Sequence, residues 1–546
     1  GTDTDSHAAI GHSTGGEENL GGSVSLGTNG DRANIEVTST GGDILLAGGQ
    51  QDIDSGSATN RHAVIGHHGR NANFDAYGDV TVTASAGSIS LNGGDGGESS
   101  VQIGHRGSLS RGTKSGTVSV QGTDIALQGG TGEGSYTQIG HGGREAGGIS
   151  NGSVTAIAST GDLTLEAGSG AESYALVGNG GTQIGTTSFL GDVQALALNG
   201  AITMSGNGDR AFAQIGSGGY QAEGTKSGSV LVDAAGDIEM SAGTGEASFV
   251  QIGMGGFESS GNTLGGAGEI VSVSSGGAIS LSASDTAAYT GAMIGNGGAG
   301  SSAVTNEADV TVVADGDVNL TAGAAEWAAA QIGNGGLDAD GLKTGEIFVN
   351  AGNDVNLVRG AGENAYAKVG HGDHQFVPPT VSVPSGAGGQ VEGNIQVTAG
   401  EDVNLSGGMI GHLDPNLLNQ ASSLGGDTFV GVSRNDVTAT GSGRLIGDAD
   451  TVLASDPNGE LRLYLPLRAS NQLVGSSLNG TAYAGANVDP LNQQIDEYVI
   501  HQLDTDGVEV LTPNEHSNLD NWDSNLLATT VSPDTGNYNT TLGNYS

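Results

Sequence analysis

The chain has 546 residues, 102 of them glycine, and its 16 basic and 60 acidic side chains leave a formal charge of −44. Glycine at about 19% stands far above the ~7% of average proteins, and the lack of cysteine excludes disulfides, thiolate metal sites and cysteine nucleophiles. Such acidity repels nucleic acid and anionic membranes, and no run of ~18 apolar residues is available to span a bilayer.

The chain opens in mid-pattern at Gly1-Thr2-Asp3, without a Met start or a signal-peptide pattern, and is read as a piece or processed form of something longer. All nine prolines lie at or after Pro378. Interior strands exclude proline because it cannot donate to a ladder, so this distribution separates a strand-rich first region from a different second one.

From the start of the chain a glycine motif recurs, with an aromatic, small or polar residues and an aliphatic before it. It reads Val101-Gln102-Ile103-Gly104, Thr137-Gln138-Ile139-Gly140 and Ala213-Gln214-Ile215-Gly216, and returns through Ala330-Gln331-Ile332-Gly333 to Ala367-Lys368-Val369-Gly370. The marker glycines, from Gly11 to Gly411, are spaced mostly 36 to 42 residues apart, a period of about 38. Each unit holds two further short strands. One resembles Asp79-Val80-Thr81-Val82-Thr83, the next Asp162-Leu163-Thr164-Leu165. Apolar residues at i and i+2 between Gly, Asp and Ser predict half-buried strands, and no stretch keeps a helical period.

Short strands with glycine corners at a fixed period can bury themselves only against the neighbouring unit, which predicts an all-β solenoid, a parallel β-helix. Each repeat could be one wide coil or two coils of about 19 residues. Acids precede most marker glycines: Glu98, Glu133, Glu172, Asp209, Glu246, Asp285, Glu326 and Glu363. In one coil they would stack at ~4.8 Å, a repulsive column; in two coils they stand about a Debye length apart. Two coils per repeat are therefore expected, in a rod roughly 100 Å long, unless a cation fills the column.

The expected organisation is a repeat rod over 1–447, distorted by a proline-bearing insertion at about 371–395. A β-rich C-terminal cap or joint follows over 448–546, with a strand at Leu461-Arg462-Leu463-Tyr464-Leu465 and a polar tail. An atypical end protects the open edge of a solenoid.

The alternation of Gly-Asp-Val-Asn-Leu-Thr-Ala-Gly (316–323) with Ala-Gln-Ile-Gly-Asn-Gly-Gly (330–336) resembles the large exoproteins of the filamentous-hemagglutinin type. The segment from Gly459 to Pro466 resembles stretches downstream of such repeats. The resemblance covers about 1–450. It implies a right-handed parallel β-helix with coils near 19 residues, exported by a dedicated outer-membrane partner of Gram-negative bacteria. The family's N-terminal secretion domain is not in this sequence, so export by that route rests on the resemblance alone.

Several columns invite chemistry. Histidine follows the marker glycine at His12, His67, His105, His141, His371 and His412, where other units have Asn179, Ser217, Met254, Asn296 and Asn334. This substitution pattern suits a polar turn residue better than a metal array. His371, Asp373 and His374, or His67 with His68, could hold an adventitious ion. An aromatic column runs through Tyr136, Tyr174, Phe212, Phe249, Tyr289, Trp327 and Tyr366. It is read first as packing that closes one corner of the core, and functionally as a contact stripe for sugar rings or a partner. No other cofactor is indicated, although calcium could sit between acidic columns or at Asp504-Thr505-Asp506-Gly507. The insertion carries too few acids for a glycosidase-like cleft, and the Thr81/Thr83 pair is not repeated as an ice-binding face requires.

These features are read as a non-enzymatic, extracellular structural or adhesive rod at a bacterial surface. Its partner would be carbohydrate or protein on a target surface, or further copies of itself. The alternatives are a fibre subunit joined end to end by strand addition of the C-terminal tail, and a carbohydrate-active β-helix.

Overall fold

A computed structural model describes residues 7–12, 24–26, 28, 30–49, 61–70, 74–108, 111–185, 187–372 and 391–412, with strand segments between 424 and 510. The chain is a parallel β-solenoid with no helix among the described residues. Three strand-bearing faces run its length. A twelve-stranded marker sheet carries the residues before each marker glycine. A long sheet carries the Val-x-Val strands, and an eleven-stranded sheet carries the Ile/Leu-x-Leu strands.

The register decides the coil count. Val101-Gln102-Ile103 pairs in parallel with Thr137-Gln138-Ile139, and that strand with Ala175-Leu176-Val177. Val118–Gly122 and Ile125–Gln128 likewise pair with their counterparts one whole repeat away. Each 38-residue repeat is therefore one wide coil, and the expectation of two 19-residue coils is corrected. Twelve marker strands at ~4.8 Å span about 53 Å, roughly half the length expected.

Alternation explains two of the faces. In Val80–Ala84 and Leu163–Glu166 every second side chain is buried and those between are half-buried. The inward Val, Ile, Leu and Ala residues of all three sheets join one continuous core from Ile35 to Val430. The marker sheet differs, since all three residues of Val101–Ile103, Thr137–Ile139 and Ala213–Ile215 are buried. Its outer face is roofed by the glycine-rich turn that follows. A second, outer core forms there from Tyr136, Tyr174, Leu176, Phe212, Tyr220 and Phe249.

The marker glycine makes that turn possible. Gly140 has φ of 138°, and a Cβ on it would lie 2.0 Å from the carbonyl oxygen of Gly178 in the next coil. Successive coils approach too closely at this corner for any other residue.

The proline-bearing insertion falls mostly outside the described residues, as do the polar tail and Asp504–Gly507. On the far side of the insertion Val391–Glu392 and Ile395–Ala399 resume the long sheet in register with Lys343–Thr344 and Ile347–Ala351.

Candidate functional site

The outer core is built from two side-chain ladders. Gln102, Gln138, Gln214, Gln251 and Gln331 point outward from the marker sheet. Each donates from Nε2 to glycine carbonyls of the next coil; Gln102 to Gly140 is 2.8 Å and Gln251 to Gly295 is 2.9 Å. The glutamines thus staple each glycine turn to its neighbour. Over them lie the aromatic rings, with centroids 4.5 Å apart for Tyr136–Tyr174, 4.8 Å for Tyr174–Phe212 and 4.7 Å for Phe212–Phe249, all near parallel. Where the ring is tyrosine, its hydroxyl donates back to the glutamine Oε1 of the preceding coil: Tyr174 to Gln138 at 3.3 Å, Tyr366 to Gln331 at 3.0 Å.

The stack is then interrupted. In register, Phe249 is followed by Gly291, then Ala329, and only then Tyr366. Two ring positions are missing across three coil steps, about 14 Å. The roof thins at the same level, because the column Tyr220–Phe257 continues as Ala299 before Leu337. The result is a cleft of about 450 Å³, counted out to its open mouth, lined by Phe249, Gln251, Phe257, Tyr289, Met293, Trp327 and Tyr366 among others. In these two coils the aromatic has moved two residues earlier. Tyr289 and Trp327 stand at the mouth with parallel rings 6.0 Å apart. Their backbones are left-handed, φ 57° and 60°, at a turn position that carries Glu98, Glu172, Arg210, Ala247 or Asn364 in other coils. Bulky residues rarely adopt this conformation, at a cost of order 1 kcal/mol each.

The contact stripe expected from sequence is corrected on this geometry. Tyr136, Tyr174, Phe212, Phe249 and Tyr366 are buried and cannot present their faces to a surface. Tyr289 is 41% exposed and Trp327 half-buried, so the exposed aromatics of this column are confined to the interruption. The signal was present in the spacing. These two rings stand six residues before their marker glycines, whereas Phe212, Phe249 and Tyr366 stand four before theirs.

The histidine column is a backbone clamp. His105 N–H donates to His141 Nδ1 at 3.0 Å, and His371 N–H to His412 Nδ1 at 3.1 Å. The opposite ring nitrogen meets a carbonyl of the long face, Gly78 for His105, Gly116 for His141 and Gly393 for His412. An accepting Nδ1 and a donating Nε2 define the neutral tautomer. The rings stack at 4.7 to 4.9 Å through His67, His105 and His141. Asn179 and Asn334 make the same pair of bonds, each with its side-chain oxygen accepting and its Nδ2 donating. Burial lowers the basicity of the column, pushing His141 and His412 down to about 4 and His105 and His371 well below their ordinary value. Both ring nitrogens of these four are engaged, so this column is structural. Ser217 is buried within it and accepts from Asn179 N–H. His68 is buried beside His62, rings 6.0 Å apart, while Asp373 and His374 lie outside the described residues.

One coil per repeat also requires an account of the acids. They do not form a single file. Glu98 and Glu172 occupy one turn position and Glu133, Asp209, Glu246, Glu326 and Glu363 the position before it, as the bonds Glu98 N–H to Glu133 O and Glu172 N–H to Asp209 O show. Arg144 gathers members of both positions, with Nη1 2.8 Å from Glu98, Nη2 3.8 Å from Glu133 and Nε 3.6 Å from Glu172. Elsewhere carboxylates serve as acceptors between coils. Asp209 takes Glu246 N–H, Asp79 takes Thr117 N–H and Asp162 takes Ala201 N–H. Among the described residues no group of three or more His, Asp or Glu is arranged to hold a metal ion.

Compared with protein-family models, with curated proteins and with solved structures, the chain matches none.

Proposed function

We propose that the chain is a rod segment of an extracellular surface protein, working by mechanical reach and contact rather than by bond chemistry. The observation that carries this reading is the coil-to-coil ladder. The repeated polar columns, glutamine, histidine/asparagine and aspartate, each make a hydrogen bond to a neighbouring coil. Such a design ties each coil to its neighbour along the repeat, as a rod requires. A location at a bacterial surface, export of the filamentous-hemagglutinin kind and a carbohydrate or protein partner are parts of the same proposal, resting on the sequence resemblance and the acidic, cysteine-free composition.

The test is attachment. Beads coated with the purified chain should bind glycan- or protein-coated surfaces, and beads coated with the core-disrupted Ile215→Asp variant should not. Equal binding by both would sink the adhesive reading. Electron microscopy of the same preparation separates isolated rods from the alternative, fibres joined end to end.

A further inference from the structure

We propose that the interruption in the aromatic stack is a binding slot for a hydroxyaryl ring, with Tyr289 and Trp327 at its rim. The inference does not depend on the rod's place at a surface.

The slot has the shape of what is missing from it. Flanking coils show what the outer core holds at each level: one ring lying flat on the next at 4.5 to 4.8 Å. At the Gly291 level that ring is absent, with the face of Phe249 below it. Trp327 packs with Ala329 and Tyr366 and partly covers the next level, so the Gly291 level is the more open of the two. A flat aromatic guest would complete the stack as tyrosine or phenylalanine does elsewhere.

The polar part of the guest follows from the glutamine ladder. Gln138 and Gln331 each receive a tyrosine hydroxyl on Oε1 from the coil above. Gln251 uses its Nε2 on the glycine turn in the same way, but the coil above offers Gly291 in place of tyrosine. Its Oε1 has no donor among the described residues, and Gln251 lines the cleft. A guest ring stacked on Phe249 would bring a hydroxyl to this acceptor. A pyranose fits less well, because most of its hydroxyls would face Phe249, Phe257, Met293 and Tyr366 without partners. The left-handed turn position recurs in other coils as Glu98, Glu172, Arg210, Ala247 and Asn364, but among the described residues it carries aromatic rings only here, at Tyr289 and Trp327.

Two sources share this chemistry, a free phenol and the tyrosine side chain of a polypeptide. The experiment uses the whole chain and calorimetric titration with 4-methylphenol, toluene and the peptide Gly-Tyr-Gly. The wild type should bind 4-methylphenol about tenfold more tightly than toluene, the worth of one net hydrogen bond. Gly291→Phe refills the stack. A Cβ at this position meets nothing closer than Ala329 O at 3.6 Å, so the ring can be accommodated, and binding of all three probes should be lost. Gln251→Met copies the residue that already occupies the equivalent place one coil on, Met293, and should abolish the preference for the hydroxyl while toluene still binds. Tighter binding of the peptide than of 4-methylphenol identifies a polypeptide guest, and the reverse a free phenol. Failure of the wild type to bind either hydroxylated probe at millimolar concentration overturns the proposal. So does undiminished binding by a folded Gly291→Phe variant. Should that variant not fold, a hydroxyl preference that survives in Gln251→Met overturns it equally.

Discussion

Coils through Tyr136 to Phe249 and coils through Tyr289 and Trp327 share one inner core, with Val154, Val230, Val271 and Val310 stacked in register beneath both. They differ in the outer layer, and in the long sheet the second set carries longer strands with a bulge between Gly265 and Ile270. In the first set the rings are inside and the turn carries Glu172 or Arg210; in the second the turn carries the rings and the inside is Gly291 or Ala329. The inner core therefore sets the coil, and the outer layer can be changed coil by coil without loss of register. A solenoid can carry a local site in this way, because each unit contacts only its neighbours.

The comparison is broken most sharply by truncating rings on either side of it. Phe212→Ala removes a buried member of the intact stack and should cost about 3–5 kcal/mol, whereas Tyr289→Ala, at the exposed rim, should stay within about 1 kcal/mol of the wild type. Chemical denaturation followed by circular dichroism reads both. Similar losses would mean the two regions are packed alike. Ile215→Asp, which places a carboxylate in the inner core common to both, should be at least as damaging as Phe212→Ala.

Acid distinguishes the coils clamped by histidine from those clamped by asparagine. The folded-state basicity of His141 and His412 is held near 4 by burial, below the ordinary 6.5. Between those values the unfolded chain binds more protons, so stability is complete above about pH 6.5 and falls as pH drops toward 4. The loss is roughly 3 kcal/mol for each of the two. His141→Asn, copying Asn179, should remove one such share of the acid sensitivity, measured as the fall in melting temperature from pH 7 to pH 5. An unchanged fall would show that the clamp does not titrate as described. Lys226, buried over the Phe189 ring and pushed down to about 7, acts in the same sense at higher pH. It favours the folded state increasingly as pH rises from about 7 toward its ordinary 10.5.

Filling the interruption should make the two regions alike. Gly291→Phe is expected to raise stability by about 1–2 kcal/mol through the apolar surface it buries, visible as a higher melting temperature. A fall would indicate that the slot is already closed by Tyr289 or Trp327. The smallest effect belongs to Arg144→Gln. Loss of its contacts with Glu98, Glu133 and Glu172 should cost about 1 kcal/mol at low salt and less at high salt. Calcium should restore that loss no better than magnesium if the acids are merely screened; restoration by calcium alone would reveal a site between coils.

Alternation and period carried far in this chain. Val80-Thr81-Val82 and Leu163-Thr164-Leu165 disclose their inward residues, and the recurrence of Gly104, Gly140 and Gly178 discloses the solenoid, because these patterns follow from period-2 geometry and from a corner only glycine can turn. Coil width was not legible. Charge repulsion between Glu133 and its neighbours argued for two coils, but the acids are divided between adjacent turn positions, most are exposed, and Glu98, Glu133 and Glu172 are gathered by Arg144. Nor could the sequence reveal that the marker sheet is buried on both faces, since Gln102 and His105 read as polar and outward until the glycine turn folds back over them. Composition, strand class and repeat length are local properties, determined by which residues succeed one another. Which columns face water, which accept the next coil's N–H and where a stack is left open depend on register between residues 36 to 42 apart, and only the closed coil brings those residues together.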